Sequence, residues 1–191
     1  MNLFRPLRGG ALCALFLSAG LGLVGCLNPP EYPVVPSIEF SSVKNTYVPA
    51  AGVLVARNDL VMEVSFRDGD GDLGLSPADI TMAPYNAPTG GPNNRGYQYN
   101  YFIQPLVKDA TTGRFVPVVF GTKGEYDGRY PRLDGAEAKP APLKGDLRYA
   151  QTISLDGVFR AGQVIRFEIS ILDRALHQSN TVTTSDITLG P

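Results

Sequence analysis

The stretch that decides the fold lies near the end of the chain and reads Val164-Ile165-Arg166-Phe167-Glu168-Ile169-Ser170-Ile171-Leu172. In its centre, large apolar side chains alternate with charged or polar ones. Successive side chains of a β-strand point to opposite faces of a sheet, so this alternation predicts a strand with one face against a core.

Six further stretches have the character of short strands, and turn-forming residues separate them: 37–43, 60–66, 97–108, 114–120, 147–155 and 180–189. Pro117 predicts an edge position for the 114–120 strand, because proline has no N–H to donate to a neighbouring strand. Seven short strands without a credible helix in the mature chain predict an all-β fold, an antiparallel immunoglobulin-like sandwich. The chain contains no Trp, so the cysteine and tryptophan hallmarks of true immunoglobulin domains are missing.

The first 25 residues have the features of an export signal. Arg5 and Arg8 give a positive start, and residues 11–24 are almost entirely apolar but too few for a comfortable membrane span. The segment ends in Leu23-Val24-Gly25-Cys26, which resembles a bacterial lipobox. The resemblance implies cleavage before Cys26 and acylation of its sulfur. The alternative is an ordinary signal peptide or a membrane anchor with a chance cysteine.

The residues after the lipobox predict a tether and then a single domain. Residues 26–36 contain four prolines and favour an extended chain that lifts the domain away from the bilayer. Residues 37–191 would form the sandwich. The residue after the cysteine is Leu27, whereas an Asp at this position would favour retention at the inner membrane. The sorting signal therefore resembles that of an outer-membrane lipoprotein.

Charge and cysteine content exclude several functions. Without Arg5 and Arg8, the 17 basic residues fall to 15 against 18 acidic ones, a formal charge of −3 that argues against a nucleic-acid partner. Cys13 leaves with the signal and Cys26 carries lipid, so no thiol remains for a disulfide, a zinc site or a nucleophile. His177 is the one histidine and has no recognisable triad partners. We therefore predict that the protein is not an enzyme.

A loop of alternating acids and glycines follows the second predicted strand and reads Asp68-Gly69-Asp70-Gly71-Asp72-Leu73-Gly74. Calcium prefers six to eight oxygen ligands, and alternating carboxylates can supply them. Counted from Asp68, carboxylates stand at positions 1, 3, 5 and 12, which is similar to the loop of EF-hands. Position 12 is Asp79. The pattern departs from the EF-hand at position 6, which is Leu73, and in the strand that precedes the loop.

Asp173 is the fifth candidate ligand. In immunoglobulin order, the strands that end at Phe66 and Leu172 run toward the same end of the sandwich, which would place Asp173 near the Asp loop. The alternative is an ordinary Asp-Gly turn, with Asp173 paired to Arg174 or Arg67.

Three tyrosines, Tyr97, Tyr99 and Tyr101, alternate in the third predicted strand. Alternation would place all three rings on one face of a sheet, where exposed rings can stack on sugars. The alternative is that they cover the core or pair across strands.

The lipobox, the proline tether, the sequence 66–74 and the closing segments 173–175 and 179–182 together resemble uncharacterised lipoproteins of Bacteroidota with an immunoglobulin-like or fibronectin-like domain. This resemblance implies a cellular location and a fold, and it carries no activity. The expected function is a non-enzymatic, calcium-stiffened binding or accessory module, lipid-anchored in the cell envelope, with an envelope protein or a glycan as partner. The alternative is a carbohydrate-binding lipoprotein of a polysaccharide-uptake system.

Overall fold

The computed structural model describes residues 30–135 and 139–191. Within them the regular structure is eight strands and one three-residue 3₁₀ turn, Asp79–Thr81. The strands are β1 (Ser37–Val48), β2 (Arg57–Asp68), β3 (Tyr101–Lys108), β4 (Phe115–Pro117), β5 (Leu143–Ser154), β6 (Val164–Ile171), β7 (Val182–Thr183) and β8 (Ile187–Thr188). None of the described residues belongs to a helix long and apolar enough to cross a membrane. The signal segment and Cys26 lie outside the described residues.

The strands form two antiparallel sheets that face each other. One sheet has the order β1-β2-β5, and the other has the order β4-β3-β6-β7, with β8 also paired to β6. This is the predicted all-β, antiparallel, immunoglobulin-like sandwich. The short β4 is an edge strand, as Pro117 predicts.

The last predicted strand, 180–189, is present as two short pieces. Thr184 lies between β7 and β8 and exchanges hydrogen bonds with Phe167 of β6: its backbone N–H donates to the Phe167 carbonyl at 2.9 Å, and its hydroxyl accepts from the Phe167 N–H at 3.0 Å. A side chain thus replaces one backbone partner, which interrupts the regular pairing along β6.

The core lies between the sheets and is built by the alternation that the sequence shows. On β6, Ile165, Phe167, Ile169 and Ile171 are fully buried. The facing strand β2 contributes alternate residues from position 58 to position 68, and all six are buried. The last residue of this inward-facing series is Asp68. Because side chains alternate along a strand, its carboxylate points into the end of the core.

The third strand begins four residues later than its sequence predicts. Asn100 is 1% exposed, and its side chain accepts from the N–H of Tyr130 at 2.9 Å and donates to the carbonyl of Tyr130 at 3.2 Å. The chain before Asn100 turns away from the sheet. Tyr97 therefore lies in a turn and Tyr99 precedes the strand, so the prediction that both belong to it is wrong.

Candidate metal centre

The Asp loop leaves β2 in a backbone path that needs glycine. At Gly71 the backbone has a φ of +70°, and an added methyl group would lie 2.2 Å from the Ala141 carbonyl oxygen. Only glycine permits both the left-handed conformation and this close approach. Leu73, where an EF-hand would have glycine, is completely buried and pairs with Asp173 in an antiparallel bridge. The loop is therefore held by the sandwich and differs in build from an EF-hand.

Three carboxylates meet where the two sheets end. Each of Asp68, Asp72 and Asp173 offers an oxygen, and the three oxygens lie within 4.8 Å of one another. Asp68 is the last residue of β2, Asp72 lies in the loop that follows, and Asp173 follows β6 of the opposite sheet by two residues. The structure thus places Asp173 beside the loop, where the strand order leads it.

Asp68 is the residue that makes the cluster unusual. Its side chain is 0% exposed, and neither carboxylate oxygen has a hydrogen-bond partner. A buried carboxylate normally satisfies its oxygens with donors or a cation, because burial without them costs several kcal/mol. The Asp70 Oδ1 and Asp72 Oδ1 atoms are also buried without a partner. These four oxygens from three neighbouring acids have no hydrogen-bond partner and are candidate ligands for a cation.

The other oxygens of the cluster are held in place by backbone donors. The Ala175 N–H donates to Asp72 Oδ2 at 2.9 Å. The His177 N–H donates to Asp173 Oδ1 at 2.7 Å, and the His177 Nδ1 lies 2.9 Å from Asp173 Oδ2. The segment after β6 therefore orients Asp72 and Asp173, while Asp68 is oriented by its strand alone. The contact of His177 with Asp173 carries no sequence signal apart from the spacing of four residues.

Burial and mutual repulsion disfavour the charged forms of these acids. Burial, followed by the charges of Asp70, Asp72 and Asp173, raises the pKa of Asp68 to about 7. The Asp72 N–H lies close enough to lower this pKa slightly, but it does not reach hydrogen-bond geometry with either Asp68 oxygen. Burial, followed by neighbouring carboxylates, also raises the pKa of Asp72. Burial likewise raises the pKa of Asp173, against the opposing contacts of His177.

The nearby arginines are engaged elsewhere. Arg174 makes a two-pronged ion pair with Asp134 at 2.6 and 2.9 Å and also donates to the carbonyls of Leu73 and Gly74. Arg67 lies 3.3 Å from Glu39. The alternative in which Asp173 pairs with Arg174 or Arg67 is therefore not formed, and neither arginine makes an ion pair with Asp68.

Asp79, the residue at position 12, is committed to a separate ion pair. Its two oxygens accept from Arg132 at 2.6 and 2.8 Å, and the Ser76 N–H donates to it at 2.7 Å. The hydrogen bonds from Arg132 hold the pKa of Asp79 well below its usual range. Asp79 does not join the cluster, so its assignment as a ligand is wrong. After Gly74 the chain is bound to the segment 130–132, because the Leu75 N–H donates to the Tyr130 carbonyl at 3.1 Å and Arg132 binds Asp79.

The three tyrosines do not form a platform. Tyr101 is 2% exposed and stacks in the core on Tyr149, with ring centroids 5.0 Å apart. Tyr99 is half-buried under the guanidinium of Arg95, 4.5 Å from its ring centroid. Tyr97 is also half-buried, in the preceding turn. The prediction of three rings on one exposed face is wrong because the strand begins only at Tyr101.

Comparisons with known proteins do not identify a family for this chain. No protein-family model and no curated protein sequence matches the chain. Among solved structures, the chain is similar to one titled "X-ray structure of Northeast Structural Genomics Consortium target SoR45". The identity is 7% and the TM-score is 0.31, over 82% of this chain and 87% of that one.

Proposed function

We propose that the protein is a non-enzymatic, lipid-anchored module of the cell envelope whose β-sandwich is stiffened by a calcium ion bound among Asp68, Asp70, Asp72 and Asp173. The observation that carries this proposal is the Asp68 carboxylate, fully buried, without a hydrogen-bond partner and facing two further carboxylates.

Calcium suits the cluster because every candidate ligand atom in it is a carboxylate oxygen. Calcium accepts irregular sets of oxygen ligands, whereas magnesium requires a near-ideal octahedron and gives up its water reluctantly. An ion held by Asp68 and Asp173 would join the two sheets at their ends. It would also remove the repulsion that the four acids otherwise exert on one another.

The burial of the cluster supports a structural role over a catalytic one. A carboxylate that acts as an acid or a base must reach the substrate. Asp68 is 0% exposed and Asp173 is 3% exposed, so a substrate has no access to the pair. The domain would act as a binding or accessory module for an envelope partner. The glycan alternative depended on the tyrosine face, which does not form.

The anchor half of the proposal depends on the lipobox that ends at Cys26. The described part of the tether, residues 30–36, enters β1 at Ser37, which pairs with Arg67 next to the Asp loop. The lipid would therefore be attached at the calcium end of the sandwich. Two or more acyl chains hold a protein on a membrane where one chain does so only marginally. The outer membrane is the proposed location.

Isothermal titration of the metal-free protein tests the ion. We expect one calcium site and weaker or undetectable binding of magnesium. The double variant Asp70→Asn, Asp72→Asn should lose calcium binding because two of the four charges are gone. The Asp156→Asn variant, which removes an exposed carboxylate in the turn after β5, serves as the control and should retain it. Equal binding of calcium by wild type and by the double variant would contradict the site.

Metabolic labelling with palmitate tests the anchor. Wild type should incorporate label and fractionate with membranes. The Cys26→Ala variant should incorporate none, because no acceptor sulfur remains, and should accumulate uncleaved or be released without lipid. Equal labelling of the two proteins would show that the lipobox interpretation is wrong.

A further inference from the structure

We propose that the same ion also regulates the N-terminal tether, by fixing the loop surface against which residues 30–36 dock. This inference depends on calcium binding at the Asp loop, as proposed above, and assigns a regulatory role to that site.

The tether touches the loop through Gly69, which lies between Asp68 of the cluster and the neighbouring Asp70. The Gly69 N–H donates to the Pro33 carbonyl oxygen at 2.9 Å. The approach is so close that a methyl group added at Gly69 would lie 2.2 Å from the Tyr32 carbonyl oxygen and 2.8 Å from Pro33. Glycine at this position is therefore explained by the tether that packs on it.

Little else holds this part of the chain. The bond from Gly69 is the one hydrogen bond that the described residues make to segment 30–36. Val34 is 51% exposed and Val35 is 46% exposed, and Glu31 and Pro33 are exposed as well. Tyr32 is half-buried, and Pro36 is the first buried residue before β1 begins. Among the hydrogen bonds of the described residues, the position of the tether thus depends on a single backbone bond.

That bond is coupled to the ion by covalent geometry. Gly69 joins Asp68 to Asp70, so a cation that draws both carboxylates together fixes the peptide units on either side of Gly69. Without the cation the acids repel one another, and the repulsion between two such charges is comparable in size to the net contribution of one hydrogen bond. The metal-free loop should therefore release Pro33.

Release would change how far the domain stands from its anchor. When Pro33 is docked, the chain is held to the domain from about Tyr32 onward. When Pro33 is released, residues 32–35 would add about 12 Å of reach at roughly 3.1 Å per residue of proline-rich chain. Calcium would thus switch an anchored domain between a short, fixed attachment and a longer, mobile one.

Proteolysis after Glu31 measures this docking. The full chain, processed by the cell and held in detergent micelles, is treated with a glutamate-specific protease, and mass spectrometry follows the fragment that begins at Tyr32. Saturating calcium should slow its appearance by about three- to tenfold relative to chelator, since docking adds one hydrogen bond and its packing contact. The Gly69→Ala variant, at calcium concentrations that saturate it, should show no such protection because its methyl group displaces Tyr32.

A matched control is Gly157→Ala. Gly157 has open space around it and no left-handed φ, so this variant should keep the calcium protection of wild type. If calcium binds in the titration but leaves cleavage after Glu31 unchanged, the tether inference is wrong and the proposed function stands. If Gly69→Ala keeps full protection, the docking contact is not responsible and the inference is again wrong. If calcium does not bind at all, the proposed function fails and the tether inference fails with it.

Discussion

Millimolar calcium should raise the melting temperature of the metal-free protein by about 5–10 °C. Binding to the native state alone stabilises a protein by about 2.7 kcal/mol at one hundred times the dissociation constant, and a domain of this size gains roughly 2–4 °C per kcal/mol. Magnesium should raise the melting temperature less, because it resists dehydration. Differential scanning calorimetry with chelator, calcium or magnesium measures all three states.

The Asp68→Asn variant makes this prediction specific to the site. The amide side chain of the variant carries no charge, so at pH 8 the metal-free variant should melt above metal-free wild type, because one buried charge has been removed from a cluster of like charges. Calcium should then add little. The Asp79→Asn variant loses the ion pair with Arg132 and should melt lower, yet it should respond to calcium like wild type. A calcium response that survives Asp68→Asn would place the ion elsewhere.

The alternation of apolar and polar residues is enough to predict those parts of the structure that depend only on regular strand geometry. The alternation of Ile165, Phe167, Ile169 and Ile171 required only that the strand be regular, and all four are buried as predicted. To predict where Asp173 lies, one must also know the direction in which the strand before it runs. Immunoglobulin-like strand order provides that direction, and the carboxylates accordingly meet.

The sequence predictions that proved wrong each depended on a partner distant in sequence. Alternation could not reveal that Asn100 would bind Tyr130, thirty residues away, and so delay the start of β3 past Tyr97 and Tyr99. Counting twelve residues from Asp68 assumed a loop that wraps one ion, whereas Arg132 binds Asp79 from fifty-three residues away. Arg174 likewise pairs with a residue distant in sequence, Asp134, forty residues away. Because Arg174 is engaged there, Asp68 has no cationic side chain as its partner.

In the absence of calcium, the free energy of unfolding should fall as the pH rises from about 5 to 8. Asp68 has a native pKa of about 7, whereas the carboxyl group of an unfolded chain has a pKa near 4. Between these values the native state holds a proton that the unfolded state has lost, so rising pH favours unfolding until Asp68 ionises in both states. Between pH 5 and pH 7 the loss is about 3 kcal/mol at most, at roughly 1.4 kcal/mol for each pH unit over which the two states differ by one proton. The raised pKa values of Asp72 and Asp173 act in the same direction.

The carboxylate of Asp79 does not contribute to this effect, because it titrates at lower pH. The pKa of Asp79 is lowered by Arg132, so its contribution is present above the unfolded pKa near 4 and is lost only as the pH falls further. Burial also raises the pKa of Asp127, which lies outside the cluster. Urea unfolding in chelator at pH 5, 6, 7 and 8 is therefore compared between wild type and the Asp68→Asn variant, because the difference between the two profiles isolates the cluster. The Asp68→Asn variant should show a much flatter profile, because the group with the largest difference between states is gone. Saturating calcium should flatten or reverse the wild-type profile, since the ion binds the deprotonated acids and competes with the proton. A metal-free protein equally stable at pH 5 and pH 8 would mean that water or donors already satisfy Asp68, and a cation would then have no unsatisfied carboxylate to bind.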